Sequence, residues 1–518
     1  MKRQIFKPYE QNQAMLLPPR VEELIPETHI VRVVNKMIGE IDKRIMEKQY
    51  KGGGTSAYDP EMLLKVIVYA YTQRVFSSRR IAKELRENIN YMWLSGMNRP
   101  DHRTINRFRG KVMKAVINEV FYGVIEQLME QGYVNLESYF VDGTKIEANA
   151  NRYKFVWRKS TEKNKANLQE KVKQLLDEID EIEEAEEEEY GEADLEELGE
   201  GKEIDVEKLK EAARKINERL RQQTEDKENK ELKKAKKKLE SDFIPRMEKY
   251  EWHEKVFEGR NNFCKTDTDA TFMRMKEDHM RNGQLKPGYN IQMGTQNQFI
   301  LGFSLHRRAG DTSCLKEHLE KLKTWLGEYP ENLVADAGYE SEENYSYMEE
   351  KKITAYVKDN RFHYEQKRNY KKKYPYRAEN FPYDPEADEY ECPQKKRLRY
   401  VETKPYKSEN GYVSERRIYE SEDCSQCPVK AECTRAKNNR QIQIGLELKR
   451  LRNNARDNLL SPQGLLMRSR RPIEVEAVFG RLKQDWGFRR FLLRGLDNVT
   501  TEWGILCIAH NITKAAVV

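Results

Sequence analysis

Two short apolar segments, each running into an aspartate, limit what this chain can fold into more than any other feature. Leu136–Val141 (LESYFV) leads into Asp142, and Asn332–Ala335 (NLVA) leads into Asp336. Short apolar runs bounded by turn residues suit buried strands. Further strand signals stand at Tyr289–Met293 and Phe299–His306, with polar residues 294–298 between them as a hairpin turn. A helix is expected over Leu315–Trp325, another over Glu342–Lys351, and a last strand over Thr354–Val357. Strand, hairpin, helix, strand, helix, strand describes a mixed α/β sheet. That sheet must be assembled across a long interruption, because from about Ser160 to Lys249 the chain is rich in Glu, Lys, Leu and Ile and nearly free of aromatics.

Within the interruption Leu168, Val172, Leu175, Ile179 and Ile182 step by three or four residues. Val206, Leu209, Ala213, Ile216 and Leu220 do the same, and acidic residues 186–202 lie between the two runs. The spacing predicts a helical hairpin or coiled coil with an acidic tip. A dimerisation device and a solvated spacer share this pattern. Ahead of the sheet, Asp59-Pro60 caps and opens a helix with an apolar face at Leu63, Leu64, Ile67, Val68 and Tyr71. Ser77-Ser78 then precedes RRIAKELREN, and Pro100-Asp101 precedes HRTINRFRGKV, with a turn between them. Helix, turn and a second helix opening with Arg103 and Arg107 resembles a helix-turn-helix reader. Short arginine-bearing helices also occur in proteins that never meet DNA. The helix Ala115–Glu130 closes this unit.

Residues 360–454 break the regularity with a basic, tyrosine-rich stretch whose rings could stack on bases while its lysines meet phosphates. Cys392 is followed by Cys424, Cys427 and Cys433 in the pattern C-x2-C-x5-C, which fits a tetrahedral structural Zn²⁺ site. Cys392 would pair across a ribbon formed by Leu398–Glu402 and Gly411–Ile418. Reduced, unliganded thiols are the other reading. The expected organisation is a helical, DNA-binding N-terminal domain over 1–130 and a core from 131–159, 263–359 and 455–518. A helical insertion over 160–262 and a cysteine-bearing insertion over 360–454 complete it.

Charge and hydropathy narrow the partners. With 38% hydrophobic and 35% charged residues and no apolar run of membrane-span length, the chain reads as cytoplasmic and free of membrane segments. The net charge of +7 hides an asymmetry: acids gather around Asp177–Glu203, whereas 367–373 and 481–494 are strongly basic. Such asymmetry suggests a polyanionic partner, most often nucleic acid.

The C-terminal stretch Arg471–Gly487 carries the remaining chemistry. Pro472 suits a helix start, Gly487 a stop, and Val475, Val478, Phe479, Leu482 and Trp486 form one buried stripe. Glu476 and Lys483, two turns apart, share one flank, while Glu474, Arg481 and Asp485 share the other. Asp142, Asp336 and Glu476 make an oxygen-only set without a histidine motif, which suits Mg²⁺ or Mn²⁺. Two such ions about 4 Å apart activate an attacking oxygen and stabilise a leaving one at a phosphodiester.

Together these motifs resemble the DDE signature of bacterial insertion-sequence transposases: Asp142 in FVDGTKIEANANR, Asp336 in VADAGYES, and Glu476 with Lys483 in VEAVFGRLKQDWGFRRFLLRG. FSSRRIAKEL…WLSG…PDHRTINRFR resembles the helical domain that precedes the catalytic domain in such enzymes. The resemblance implies an RNase-H-like core, with Asp142, Asp336 and Glu476 as metal ligands. It implies Lys483, Tyr339 and Arg471 as phosphate contacts, with Arg489, Arg490, Arg103 and Arg107 also on DNA. It implies DNA ends and target DNA as partners and a homodimer on DNA. Related signatures place an arginine four residues before the glutamate, where this chain has Pro472, so Arg471 or Arg470 takes that role. Glu474, with Arg470 four residues before it, is the alternative third ligand.

Overall fold

The computed structural model describes residues 20–50, 56–190, 205–222, 228–275, 283–408 and 410–517. The strands of the main region are β1 (Ser138–Glu147), β2 (Phe155–Trp157), β3 (Asn262–Cys264), β4 (Thr271–Arg274), β5 (Leu285–Gln296), β6 (Phe299–His306), β7 (Asn332–Ala335) and β8 (Thr354–Val357). Six of them form one mixed sheet in the order β4-β5-β1-β7-β8, with β6 pairing β5. β5 and β6 form the expected hairpin, closed by Asn297 and Gln298, both at positive φ as a tight primed turn requires. β1 pairs antiparallel with β5 and parallel with β7, and β7 continues parallel to β8.

The expectation that β1 stops before Asp142 is corrected. The strand runs on to Glu147, because β5 keeps pairing along one edge (Asp142 opposite Met293) after β7 has ended on the other. A mixed sheet flanked by helices fits the RNase-H-like expectation.

Between residues 20 and 130 the described chain contains helices and turns alone. Asp59 and Asp101 act as the N-caps expected of them, accepting from Met62 N at 2.9 Å and Thr104 N at 2.7 Å. The helix Leu496–Ala515 is buried nearly all round, the pattern of a helix enclosed by other elements. It lies between β6 and the helices Pro60–Thr72 and Lys114–Glu130, so sheet and N-terminal helices share one core. Two of its buried polar residues are satisfied inside that core, whereas Trp503 Nε1 and His510 Nδ1 are buried without a hydrogen-bond partner among the described residues. Glu502 accepts from the backbone N–H groups of Leu492 and Leu493, and the Asn511 amide pairs with both backbone groups of Ile300. No helix of the described residues is long and apolar enough to cross a membrane.

Between the paired strands β2 and β3 the chain forms the helices Arg158–Tyr190, Val206–Gln222, Glu228–Lys238 and Ile244–Phe257, more than the two of a hairpin. Leu168, Val172, Leu209, Ile216, Leu239 and Phe243 give this bundle a core of its own. Residues 191–204, most of the acidic tip, lie outside the described residues. A second sheet, in the order β13-β12-β11-β10-β9, occupies the cysteine-bearing region, from β9 (Tyr383–Asp384), β10 (Glu389–Glu391), β11 (Arg397–Lys407), β12 (Val413–Ser421) and β13 (Gln441–Ile444).

The C-terminal helix starts earlier than its sequence suggests. Ser461 caps Pro462, accepting from Gly464 N at 3.0 Å, and the helix runs through Pro472 to Asp485. Pro472 lacks an N–H and crowds the preceding turn. The backbone accommodates it with a π-helical turn, Pro472–Glu476, and a second follows at Arg481–Asp485. Gly487, at φ +70°, ends it as expected.

Candidate active site

Asp142 and Asp336 meet because β1 and β7 run parallel. Phe140 pairs with Val334, so each aspartate stands two residues past the same rung, at the carboxyl end of that pairing. Asp142 Oδ1 accepts the Gly143 N–H at 2.8 Å, and Asp336 Oδ1 accepts the Gly338 N–H at 2.8 Å, capping the turn Ala337–Tyr339. The long C-terminal helix brings the third carboxylate. One guanidinium, that of Arg471, joins all three. Nη1 lies 2.7 Å from Glu476 Oε1, and Nη2 lies 3.4 Å from Asp142 Oδ2 and 3.8 Å from Asp336 Oδ2. Exposure rises from Arg471 (10%) and Asp142 (14%) to Asp336 (39%) and Glu476 (49%), so the site has a buried floor and an open rim.

Glu474 is engaged elsewhere. It is buried, its Oε2 accepts the Gln298 N–H at 2.7 Å, and its Oε1 pairs with Arg470 at 2.9 Å. It tethers the helix to the β5–β6 turn. The π-helical turn breaks the simple helical spacing that put Glu474 and Glu476 on opposite flanks.

Two of the expected DNA contacts, Lys483 and Tyr339, are buried. Lys483 is 5% exposed, with Nζ 5.9 Å from the Phe479 ring centroid, so it does not share the open flank of Glu476. Tyr339 is fully buried, and its hydroxyl donates to Gln292 Oε1. Burial also lifts that phenol well above its ordinary range, helped by Asp311, Asp142 and Asp336 nearby. Arg489, Arg490, Arg103 and Arg107 are exposed, and Arg490 lies 3.9 Å from Glu147.

Sequence reading missed two charged neighbours. Lys358, directly after β8, is half-buried near Asp336, Glu476 and Arg471; burial lowers its pKa, and the Arg471 and Arg468 charges add to the effect. A charged residue just past a strand was the signal that singled out the two aspartates, and it would have found Lys358 as well. Asp311, in the loop after β6, sits against Gly143 and Gly338; nothing in its sequence surroundings marks it.

A metal is implied by the resemblance, and the donor chemistry fits one: three carboxylates, oxygen ligands throughout, gathered around a single positive charge. Their present spacing suits a guanidinium rather than an ion held at about 2.1 Å. Accordingly, among the described residues no group of three or more His, Cys, Asp or Glu stands in metal-holding geometry. Cys392, Cys424, Cys427 and Cys433 do line one small cavity, at the base of the β11–β12 ribbon. The Cys392 and Cys424 sulfurs each accept a backbone N–H at 3.4 Å, from Lys396 and Arg440.

Comparison with known proteins adds three findings. A transposase DDE domain family matches residues 391–516, and a transposase domain family (DUF772) matches residues 19–111. The chain is 31% identical over 98 residues to a probable transposase for insertion sequence element ISH11, found in two strains of Halobacterium salinarum. That match covers 18% of this chain and 28% of each relative. No solved structure matches.

Proposed function

We propose that this chain, which belongs to the insertion-sequence transposases of the DDE class, binds the terminal inverted repeats of its element, cuts the DNA there and joins the freed 3′-OH to target DNA. The observation that carries the reading is the convergence of Asp142, Asp336 and Glu476 on one cation. In this reading those three side chains hold Mg²⁺ or Mn²⁺. Bound there, the metal supplies Lewis-acid activation of the attacking oxygen and charge stabilisation of the leaving one.

The chain's own residues do the rest. Asp142, on the buried floor, is held by its strand and by Gly143 N–H, whereas Glu476 reaches in from the open rim. Arg471 balances the carboxylate charge before DNA and metal arrive and then turns to a backbone phosphate. Lys358 takes the phosphate role expected of Lys483, being half-buried beside the carboxylates. Exposed Arg489 and Arg490 contact further DNA backbone, as do Arg103 and Arg107 from the N-terminal helices. Strand joining proceeds by in-line displacement, so the attacking oxygen must lie opposite the leaving 3′-oxygen across the phosphorus. Two ends require two such sites, hence a homodimer on DNA, acting in the cytoplasm on the nucleoid. The four cysteines hold a structural Zn²⁺ under the β11–β12 ribbon.

The test is a cleavage and joining assay on labelled ends. Asp142→Asn, Asp336→Asn and Glu476→Gln each abolish Mg²⁺-dependent cleavage while end binding persists. Glu474→Gln keeps cleavage and loses stability, because it weakens a buried pair with Arg470. Two of the first three variants cleaving at near wild-type rates would sink the assignment. Cleavage without joined products would make the protein a nuclease.

A further inference from the structure

Tyr339 and Asp311, one expected on DNA and the other unremarked in the sequence, belong to a single network, buried apart from the half-exposed Asp311, beside the carboxylates. Asp311 Oδ1 accepts from Asn290 Nδ2 at 2.8 Å and from Gln292 Nε2 at 2.9 Å. Both amides belong to β5 and are fully buried. The Gln292 Oε1 accepts the Tyr339 hydroxyl. Tyr339 closes the turn that Asp336 caps.

The same loop is stitched to the same turn a second time. Thr312 Oγ1 donates to Gly338 O at 2.7 Å, and Asn344 Nδ2 donates to Thr312 O at 2.9 Å and Tyr339 O at 2.8 Å. On the other side, Asp311 packs against the residue after Asp142. A Cβ at Gly143 would collide with its Oδ1 and come within 2.8 Å of Gln292 Nε2. Asp311 therefore touches the strand of one catalytic aspartate directly and reaches the turn of the other through Gln292 and Tyr339.

We infer that Asp311, with Gln292 and Tyr339, is a positioning unit that sets the separation of Asp142 and Asp336 and so preorganises the metal site. It acts through hydrogen bonds and contacts no metal itself. The inference rests on the metal-binding reading above. Outer partners that orient ligating carboxylates typically change metal affinity by about 10–100-fold when removed. Here the effect passes through backbone as well as side chains, because Asp311 fills the space that a Cβ at Gly143 would need and Thr312 holds the Gly338 carbonyl.

The experiment measures Mn²⁺ binding to the full chain without DNA, by electron paramagnetic resonance of free Mn²⁺, alongside urea denaturation. Asp311→Ala and Tyr339→Phe weaken Mn²⁺ binding about 10-fold or more. Asp311→Asn restores it to within about 3-fold of wild type, because its amide oxygen still accepts from Asn290 and Gln292. Tyr339→Phe removes one hydroxyl and keeps the ring, so it separates loss of positioning from loss of folding. Unchanged Mn²⁺ affinity in Asp311→Ala and Tyr339→Phe overturns the inference. Asp311→Asn as weak as Asp311→Ala also overturns it, by making Asp311 a direct ligand. Wild type that fails to bind Mn²⁺ at all refutes the metal-site reading instead.

Discussion

Replacing Arg471 by alanine should make the protein's stability newly dependent on divalent metal. The guanidinium is the charge on which Asp142, Asp336 and Glu476 converge, at 3.4, 3.8 and 2.7 Å. Removing one partner of a fully buried ion pair costs about 3–5 kcal/mol, whereas exposed pairs contribute about 0–1 kcal/mol. This site lies between those limits: Arg471 and Asp142 are nearly buried, Asp336 and Glu476 are more than a third exposed. Solvent screening of the outer two leaves a loss of about 2–3 kcal/mol without metal. Alanine is a strong helix former, so the helix itself does not suffer. A ligand that binds only the folded state adds about 2.7 kcal/mol at 100 times its Kd. Mg²⁺ should therefore recover most of the loss in Arg471→Ala, and stabilise wild type less, because there it competes with a resident cation. The assay is urea denaturation of both proteins with and without Mg²⁺ at matched ionic strength. An equal Mg²⁺ increment in the two proteins would falsify the reasoning, since Arg471 and metal would then not share a site.

Gly294→Ala should destabilise by about 1–3 kcal/mol or more, because a Cβ there overlaps the ring of fully buried Tyr139 and disturbs its 2.8 Å hydrogen bond to His318; urea denaturation measures it. Acid should unfold the protein from about pH 6.5 downward through its buried histidines. Burial pushes His318 down to about 3 and His510 down to about 4, so between those values and about 6.5 the unfolded chain binds protons that the native one refuses. Stability is full above that window and falls as the pH drops, by about 2 kcal/mol per histidine at pH 5; His318→Gln should flatten part of that slope in a pH series of denaturation curves. If the four cysteines hold zinc, purified protein carries about one Zn²⁺ per chain by elemental analysis, and Cys427→Ser loses it; zinc-free wild type with unchanged stability would refute the site.

Much of the fold could be read from local pattern. The strands at Phe299–His306, Asn332–Ala335 and Thr354–Val357 appear where their apolar runs place them, and Asp59 and Asp101 cap the helices they precede. The buried stripe Val475, Val478, Phe479, Leu482 and Trp486 is likewise what its spacing predicts. These features depend on a few consecutive residues and on solvent, so propensity and hydrophobic period decide them.

What failed in the reading failed for reasons outside any local window. β1 outlasts its apolar run because β5 goes on pairing with it. Pro472 lies inside a helix because packing holds the helix together around a π-helical turn. The burial of Lys483 and Tyr339 is likewise invisible to a local window.

The site shows the same division. That two aspartates follow short apolar strand signals, and that a glutamate rides a helix with one apolar face, is written in the sequence. Their convergence on Arg471, the choice of Glu476 over Glu474 at that guanidinium, and the buried link from Asp311 through Gln292 to Tyr339 belong to tertiary structure alone. Charges and hydrogen bonds act over a few ångströms, and only folding brings residues tens to hundreds of positions apart within that reach.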